Sequence, residues 1–395
     1  MFLSLPSDHP YGCPLQRHIY VYTCAINLAH AAYMGYQLGP SPSSESQYQQ
    51  LGHLTSLTYL NLSKSSFSGQ IPSEISKLSK LSAIDLSFNY EHSTRLLRLE
   101  KASQLRSLVQ NLTNLKQLHL SGVYMPSTVP DVLVNASSLT SLRLENCGLS
   151  GEFPSFVFNL MQLRELSLDH NQITGHIPSW LVKLTQLTLL NLRFNYLQGA
   201  IPGSLFHLHN LEYLDLCSNK LIGSVVFDNF PNLKKLRVLQ LSSNELSLQI
   251  KNDARVAVPK LEVLKLGSCN LTKFPGFLRN HSGLVVLDLS DNHIHGQIPK
   301  WMWSSTRETL LYLNLSRNSL SGFDQNLVGL PWRHLQVFEL GFNRIQGSLP
   351  TPPPTIKIYS VPNNVYSGEM SVSFCKFCFF FLLCQGKPKG FLGLR

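Results

Sequence analysis

Residues 187–202 read LTLLNLRFNYLQGAIP, and this stretch decides the fold. Leu187, Leu190 and Leu192 sit in a frame LxxLxLxxN that closes on Asn195. In an extended segment side chains alternate between faces, so Leu190 and Leu192 share one side while Leu189, Asn191 and Arg193 share the other. The frame recurs with its first apolar residue at Leu57, Leu81, Leu115, Leu139, Leu163, Leu187, Leu211, Leu236, Leu261, Leu284, Leu310, Leu335 and Ile356. Most of these steps are 23 to 26 residues, a self-similarity that marks a repeat architecture. One unit cannot bury its own leucines; stacked units form a continuous apolar spine with short parallel strands on the concave side. The expected fold class is therefore an α/β solenoid.

The ninth position closes each strand with a sharp turn whose freed backbone groups need a polar partner. Asn offers both donor and acceptor, and it stands there as Asn89, Asn171, Asn195, Asn219, Asn244, Asn292, Asn318, Asn343 and Asn364. Cys147 and Cys269 fill the same slot and are expected to be buried, whereas Ser65 and Val123 depart from the rule. Twelve residues after each opening leucine a glycine recurs: Gly69, Gly151, Gly175, Gly199, Gly223, Gly296, Gly322, Gly347 and Gly368. It is expected to adopt backbone closed to other residues, and the proline of GxIP, as at Pro178 and Pro202, then fixes the exit on the convex side. The frame predicts a leucine-rich-repeat superhelix with a parallel concave β-sheet and convex turns and 3-10 segments.

LxxLxLxxN combined with NxLxGxIP resembles the plant extracellular class of leucine-rich repeats. Residues 110–370 resemble the ectodomain of plant leucine-rich-repeat receptor-like proteins linked to pathogen perception, with LENCGLSGEFP at 144–154 and GSLPTPPP at 347–354 as supporting phrases. The resemblance implies a cell-surface or extracellular protein that binds a peptide, protein or glycan ligand. Without a kinase of its own, such a protein would signal through a co-receptor or adaptor kinase. Two rivals use related repeats: a secreted inhibitor of a microbial cell-wall hydrolase, and an intracellular repeat domain of an immune sensor. Thirteen repeats without cysteine caps argue against the first, and regular GxIP turns against the second.

Three segments are expected: an unassigned stretch at 1–50 without a recognisable cap, the repeats at 51–370, and an apolar and basic tail at 371–395. The apolar patch at 19–33 faintly resembles a signal sequence that begins too far from Met1. Residues 377–384 are only eight apolar residues, against about 20 for a helical span. The ends read as those of a truncated gene model, with membrane attachment expected only if the full-length gene supplies a span. The step from Leu81 to Leu115 is 34 residues, and its excess around 91–108 is expected to form a short amphipathic helix on the convex side.

Composition excludes several classes. Hydrophobic residues make up 43% of the chain and charged residues 14%, and the net charge of +10 is spread without a basic run. No nucleic-acid partner is expected. There is no P-loop, GxGxxG, HExxH, GxSxG or kinase signature, so no enzyme activity and no cofactor are expected. The eight cysteines show one CxxC, Cys375 and Cys378, without a second pair, and the fourteen histidines are scattered, so no metal site is expected.

Six N-x-S/T sequons occur, at Asn61, Asn111, Asn135, Asn270, Asn280 and Asn314. Asn111, Asn135 and Asn280 each lie four residues before an opening leucine, in one exposed column. Asn61 and Asn314 fall at the centre of the first and eleventh concave strands, where glycans would mask the ends of that face and leave its middle free. The outward positions of repeats four to six, counted from Leu57, are Arg143, Glu145, Arg164, Glu165, Asp169, His170, Arg193 and Phe194. Mixed charge beside an aromatic suits a peptide or protein contact. Phe194 follows the inward Leu192 by two places in a register that leaves it outside the core.

Overall fold

The computed structural model describes residues 52–367, apart from 66–68, 92–94, 127–130, 250–258 and 326. The readings made for 1–50, for 371–395 and for Cys375 and Cys378 lie outside the described residues. Thirteen three-residue strands, from Tyr59–Asn61 to Ile358–Ser360, pair in sequence order into one parallel sheet. The strand residues stand in register one repeat apart, Leu190 opposite Leu166 and Leu214, so every central leucine joins one column. All thirteen opening residues, Leu57 through Ile356, are buried.

The ladder of asparagines ties each repeat to its neighbour. The Asn171 amide donates to Leu144 O at 2.8 Å and Leu168 O at 2.9 Å, and its Oδ1 accepts from the amides of Cys147 and Leu149 at 3.0 Å each. Asn292 repeats all four contacts, and Asn195 and Asn343 donate to two carbonyls in the same way while accepting from one amide each. Cys147 in the same slot has thiol contacts instead, Sγ to Leu120 O at 3.2 Å and to Glu145 O at 3.4 Å. Burial pushes its thiol well above the ordinary value, and pushes that of Cys269 up to about 12.

The eighth position carries a feature the frame does not announce. In all thirteen repeats, from Lys64 to Asn363, this residue has left-handed backbone, whether it is Phe88, His170, Phe194, Ser218 or Gly122. The turn after the strand is imposed by the stack, at a cost that only glycine escapes. The glycine column behaves as expected at Gly69, Gly151, Gly175, Gly199, Gly223, Gly296 and Gly347, all with φ between 76° and 93°. Gly322 departs: it lies inside the strand Ser319–Phe323 without left-handed backbone, while Gly368 lies outside the described residues.

On the convex side, Pro72, Pro154, Pro178, Pro202 and Pro275 each precede a five-residue 3-10 helix. Two of these helices and a sixth, Phe227–Asn232, bring aromatic rings into the spine, with Phe227 stacked on Phe277 at 4.1 Å and Phe206 edge-on to Phe230 at 4.8 Å. The long second repeat differs from expectation in its inner part. A helix does form, but at Ala102–Val109, in the convex slot beside the 3-10 helix Ser73–Lys77 that other repeats also fill. The added length goes into an antiparallel pair, Tyr90 opposite Leu96 and Glu91 opposite Arg95, on the rim of the solenoid.

Candidate functional site

The concave sheet presents the third, fifth and seventh positions of each repeat, because the fourth and sixth, mostly leucine, are turned into the spine. In repeats four and five, Ser141–Arg143 lies beside Glu165–Ser167, with Ser141 opposite Glu165. Arg143 donates to Glu165 Oε2 from Nη2 at 2.7 Å and Nε at 3.2 Å, and Ser141 Oγ donates to the same oxygen at 2.9 Å. Burial opposes both charges, yet each partner outweighs it. Glu165 stays below the usual carboxylate range, and Arg143 above its usual value. The network reaches back through His119, whose Nε2 lies 2.8 Å from Ser141 Oγ and whose Nδ1 is 4.0 Å from Asp85. Burial and then Arg143 lower the His119 imidazole pKa against the pull of Asp85 and Glu165.

A second row forms at the seventh and eighth positions. Burial raises the Glu145 carboxyl above its ordinary range, and neighbouring Asp169 adds to this, although the Ser121 and Ser167 hydroxyls and Arg143 oppose it. Asp169 accepts from Ser167 Oγ at 3.1 Å and lies 2.8 Å from His170 Nδ1. The Arg193 guanidinium stands 4.4 Å over the Phe194 ring, and the His170 ring centroid is also 4.4 Å from it. Phe194 is 38% exposed and sits on left-handed backbone. Its exposure thus follows from its place in the turn, as for Phe88 and Phe342, and its ring is already held by two neighbours. Seven of the eight expected contact residues fall into these two adjoining groups. Arg164 is exposed at the second position, outside both.

Sequence reasoning missed two concave features. His119 and Asp85 extend the charged network two repeats back, and Leu189, Tyr213, Val238, Val263, Val286, Tyr312, Val337 and Ile358 make an unbroken apolar or aromatic row at the third position. Reading that column down the aligned repeats would have found it. Beside the row, Asp215 is fully buried, accepting from Gln240 Nε2 at 2.9 Å, Tyr213 Oη at 3.3 Å and the Cys217 amide at 3.0 Å. Burial pushes its carboxyl up, outweighing the Cys217 hydrogen bonds and the positive charges of Arg193 and Lys265 that pull it down.

The sequons divide by exposure. Asn111, Asn135, Asn270 and Asn280 are exposed, and Asn135 and Asn280 each end a convex 3-10 helix. Asn314 is only 8% exposed; its Nδ2 reaches Tyr312 Oη at 3.4 Å and its Oδ1 accepts from Ser316 N and Oγ at 3.0 and 2.7 Å. Half-buried Asn61 repeats these contacts with Tyr59 and Ser63. A glycan on either would attach at the Nδ2 that already reaches a tyrosine hydroxyl, while the Oδ1 bonds to Ser63 and Ser316 need not change. No group of three or more His, Cys, Asp or Glu among the described residues could hold a metal ion, and no described helix is long and apolar enough to cross a membrane.

Comparison with known proteins agrees with this architecture. Family models described as leucine-rich repeat match residues 161–221 and, separately, 56–78, 138–160, 210–233 and 283–305. Receptor-like protein 7 of Arabidopsis thaliana is 41% identical over 110 residues, 28% of this chain and 11% of that protein. Receptor like protein 22 of the same plant is 40% identical over 111 residues, 28% of this chain and 14% of that protein. The matched stretch is thus a small part of either relative. Among solved structures, the Arabidopsis receptor kinase HAESA, in complex with the peptide hormone IDA and the co-receptor SERK1, is 26% identical. It superposes with a TM-score of 0.58 over 87% of this chain and 55% of that one. The chain is a leucine-rich-repeat solenoid, similar in sequence over 28% of its length to plant receptor-like proteins.

Proposed function

We propose that this chain serves as the ligand-binding array of a receptor-like protein at the plant cell surface, taking a peptide or protein ligand on its concave face and signalling through a partner kinase. The observation that carries the reading is the pre-organised concave surface of repeats four to six. Arg143 and Glu165 are fixed by each other, Asp169 orients His170, and Arg193 and His170 hold Phe194 at the rim. Side chains already held in place lose little freedom on binding, which favours affinity. The row from Leu189 to Ile358 continues the surface with apolar side chains beside polar ones at the fifth position, a pattern suited to an extended chain with alternating side chains. The peptide hormone and co-receptor named for HAESA support a ligand and partner of the same kinds. An extracellular location rests on the relatives' class and on the exposed sequon column.

The test is a display selection of extended peptides on the whole chain, followed by titration of the selected binder. Phe194→Ala should weaken binding by about 2 kcal/mol, roughly thirtyfold, and a double reversal, Arg143→Glu with Arg193→Glu, should weaken it further. If both variants bind like the parent, the concave site in repeats four to six is not the contact.

A further inference from the structure

The rim that follows the concave strands is lined by the eighth and tenth positions, whose side chains point out while the ninth is buried. Along repeats two to seven these columns hold Phe88, Tyr124, Asn146, His170, Gln172, Phe194, Tyr196 and Lys220 as their larger exposed groups, with no carboxylate among them at described positions. Phe88, Tyr124 and Tyr196 are 39, 45 and 48% exposed. Two glycines lie beside the first two rings at ordinary contact distance. A Cβ placed on Gly122 would lie 3.8 Å from Phe88 Cδ1, and one on Gly148 would lie 3.6 Å from Tyr124 Cε2. Each ring therefore passes over bare backbone of the next repeat and shows its other side to solvent. Tyr196 has Lys220 Nζ at 5.1 Å. Phe194 is not part of this strip, because Arg193 and His170 already stand against it.

The rings do not form one apolar patch. Tyr124 and Tyr196 are three repeats apart, about 14 Å at the usual strand spacing, with the exposed amides of Asn146 and Gln172 and the imidazole of His170, turned toward Asp169, between them. A protein interface concentrates its aromatic anchors in a closely packed, water-free centre, and this strip has none. Flat π-faces at intervals with amides between them match a ligand that is flat, uncharged and rich in hydroxyls. The C–H groups on a sugar ring face carry slight positive charge and meet the negative face of an aromatic ring, while its hydroxyls pair with amides. From Phe88 to Tyr196 is four repeat steps, about 19 Å, so the ligand spans several sugar units.

We propose that the rim formed by Phe88, Tyr124, Asn146, Gln172 and Tyr196 binds a neutral, extended oligosaccharide, at a site separate from the concave face. The test is calorimetric titration of the whole chain with neutral β-linked hexasaccharides of glucose, xylose and mannose, and with hexagalacturonate as a charged counterpart. At least one neutral hexamer should bind more tightly than the charged one. Tyr124→Ala and Tyr196→Ala should each weaken it tenfold or more, Tyr196→Phe should restore most of the affinity, and Arg143→Ala should leave it unchanged. Circular dichroism of each variant excludes unfolding as the cause. Absence of binding by every neutral hexamer at 10 mM (a concentration chosen to reveal weak affinity), or equal binding by parent and both alanine variants, would overturn the proposal. So would a protein partner lost on Tyr124→Ala when no sugar binds. Because Arg143 belongs only to the concave site, failure here leaves the peptide-binding reading standing.

Discussion

Replacing Asn171 with Ala tests whether the asparagine ladder holds the stack together. The side chain satisfies two buried backbone amides, those of Cys147 and Leu149, and two buried carbonyls, those of Leu144 and Leu168. Alanine removes every one of these contacts and opens too little space for water to replace them all. A buried group left unsatisfied costs about 1–3 kcal/mol, and carbonyls with a second lone pair are more readily compensated than amides. Counting only the two amides gives about 2–6 kcal/mol. Because each repeat touches only its neighbours, the loss should concentrate at the junction of repeats four and five and reduce cooperativity across it. Urea unfolding followed by circular dichroism measures the loss, and hydrogen exchange should show faster exchange at Cys147 and Leu149 than at Ile173, whose amide depends on Asn195. A loss below about 0.5 kcal/mol, the range of ordinary surface substitutions, would refute the reasoning.

Glu165 and Glu145 should respond to pH in opposite senses. The folded pKa of Glu165 is lowered, so its charge contributes stability above the unfolded pKa, about 4.3, and that contribution is lost as pH falls through the folded value. Glu165→Gln should therefore melt below the parent at pH 7, with the gap closing in acid. Glu145 has a raised folded pKa, so its charge opposes folding at neutral pH, and Glu145→Gln should melt above the parent at pH 7; a lower melting temperature there would contradict the assignment. In a secretory host, peptide mapping after glycosidase treatment should find glycans at Asn111, Asn135 and Asn280 and bare Asn314; the reverse pattern would count against the exposed column. Cys147, Cys217 and Cys269 are buried with raised thiol pKa values, so an alkylating reagent should label them only at the rate of unfolding, and prompt labelling in the folded protein would disprove that.

Much of the fold was legible because it is written thirteen times. The leucine frame locates every concave strand, and the asparagine column locates the closing turns. Two things escaped because the repeat does not encode them by residue type. Left-handed backbone at the eighth position is shared by Phe194, His170 and Ser218, residues with nothing in common, since the stack rather than the side chain dictates it. The hairpin at Tyr90 and Glu91 was hidden because ten added residues suggested a helix, while the helix was the ordinary convex segment in altered form. At the candidate site alternation points to Arg143, Glu145, Glu165, Asp169 and Arg193, whereas His170 and Phe194 belong to the closing turn and Arg164 to the second position. Alternation does not give the pairings: whether Arg143 faces Glu165 or Glu145 depends on side-chain reach across neighbouring strands.

The hairpin in the second repeat also bears on how such a chain can change length. Its two ends leave and rejoin the same rim, and the third strand, Gln117–His119, still pairs with Ala83–Asp85 in unbroken register. An insertion there is a detour that returns the chain to phase before the next leucine. Every repeat boundary offers nearly the same join, so whole units could be gained or lost by recombination between similar coding segments without redesigning the joint. The spine would then keep its phase through successive generations while the rims and the concave face record what each lineage has needed to recognise.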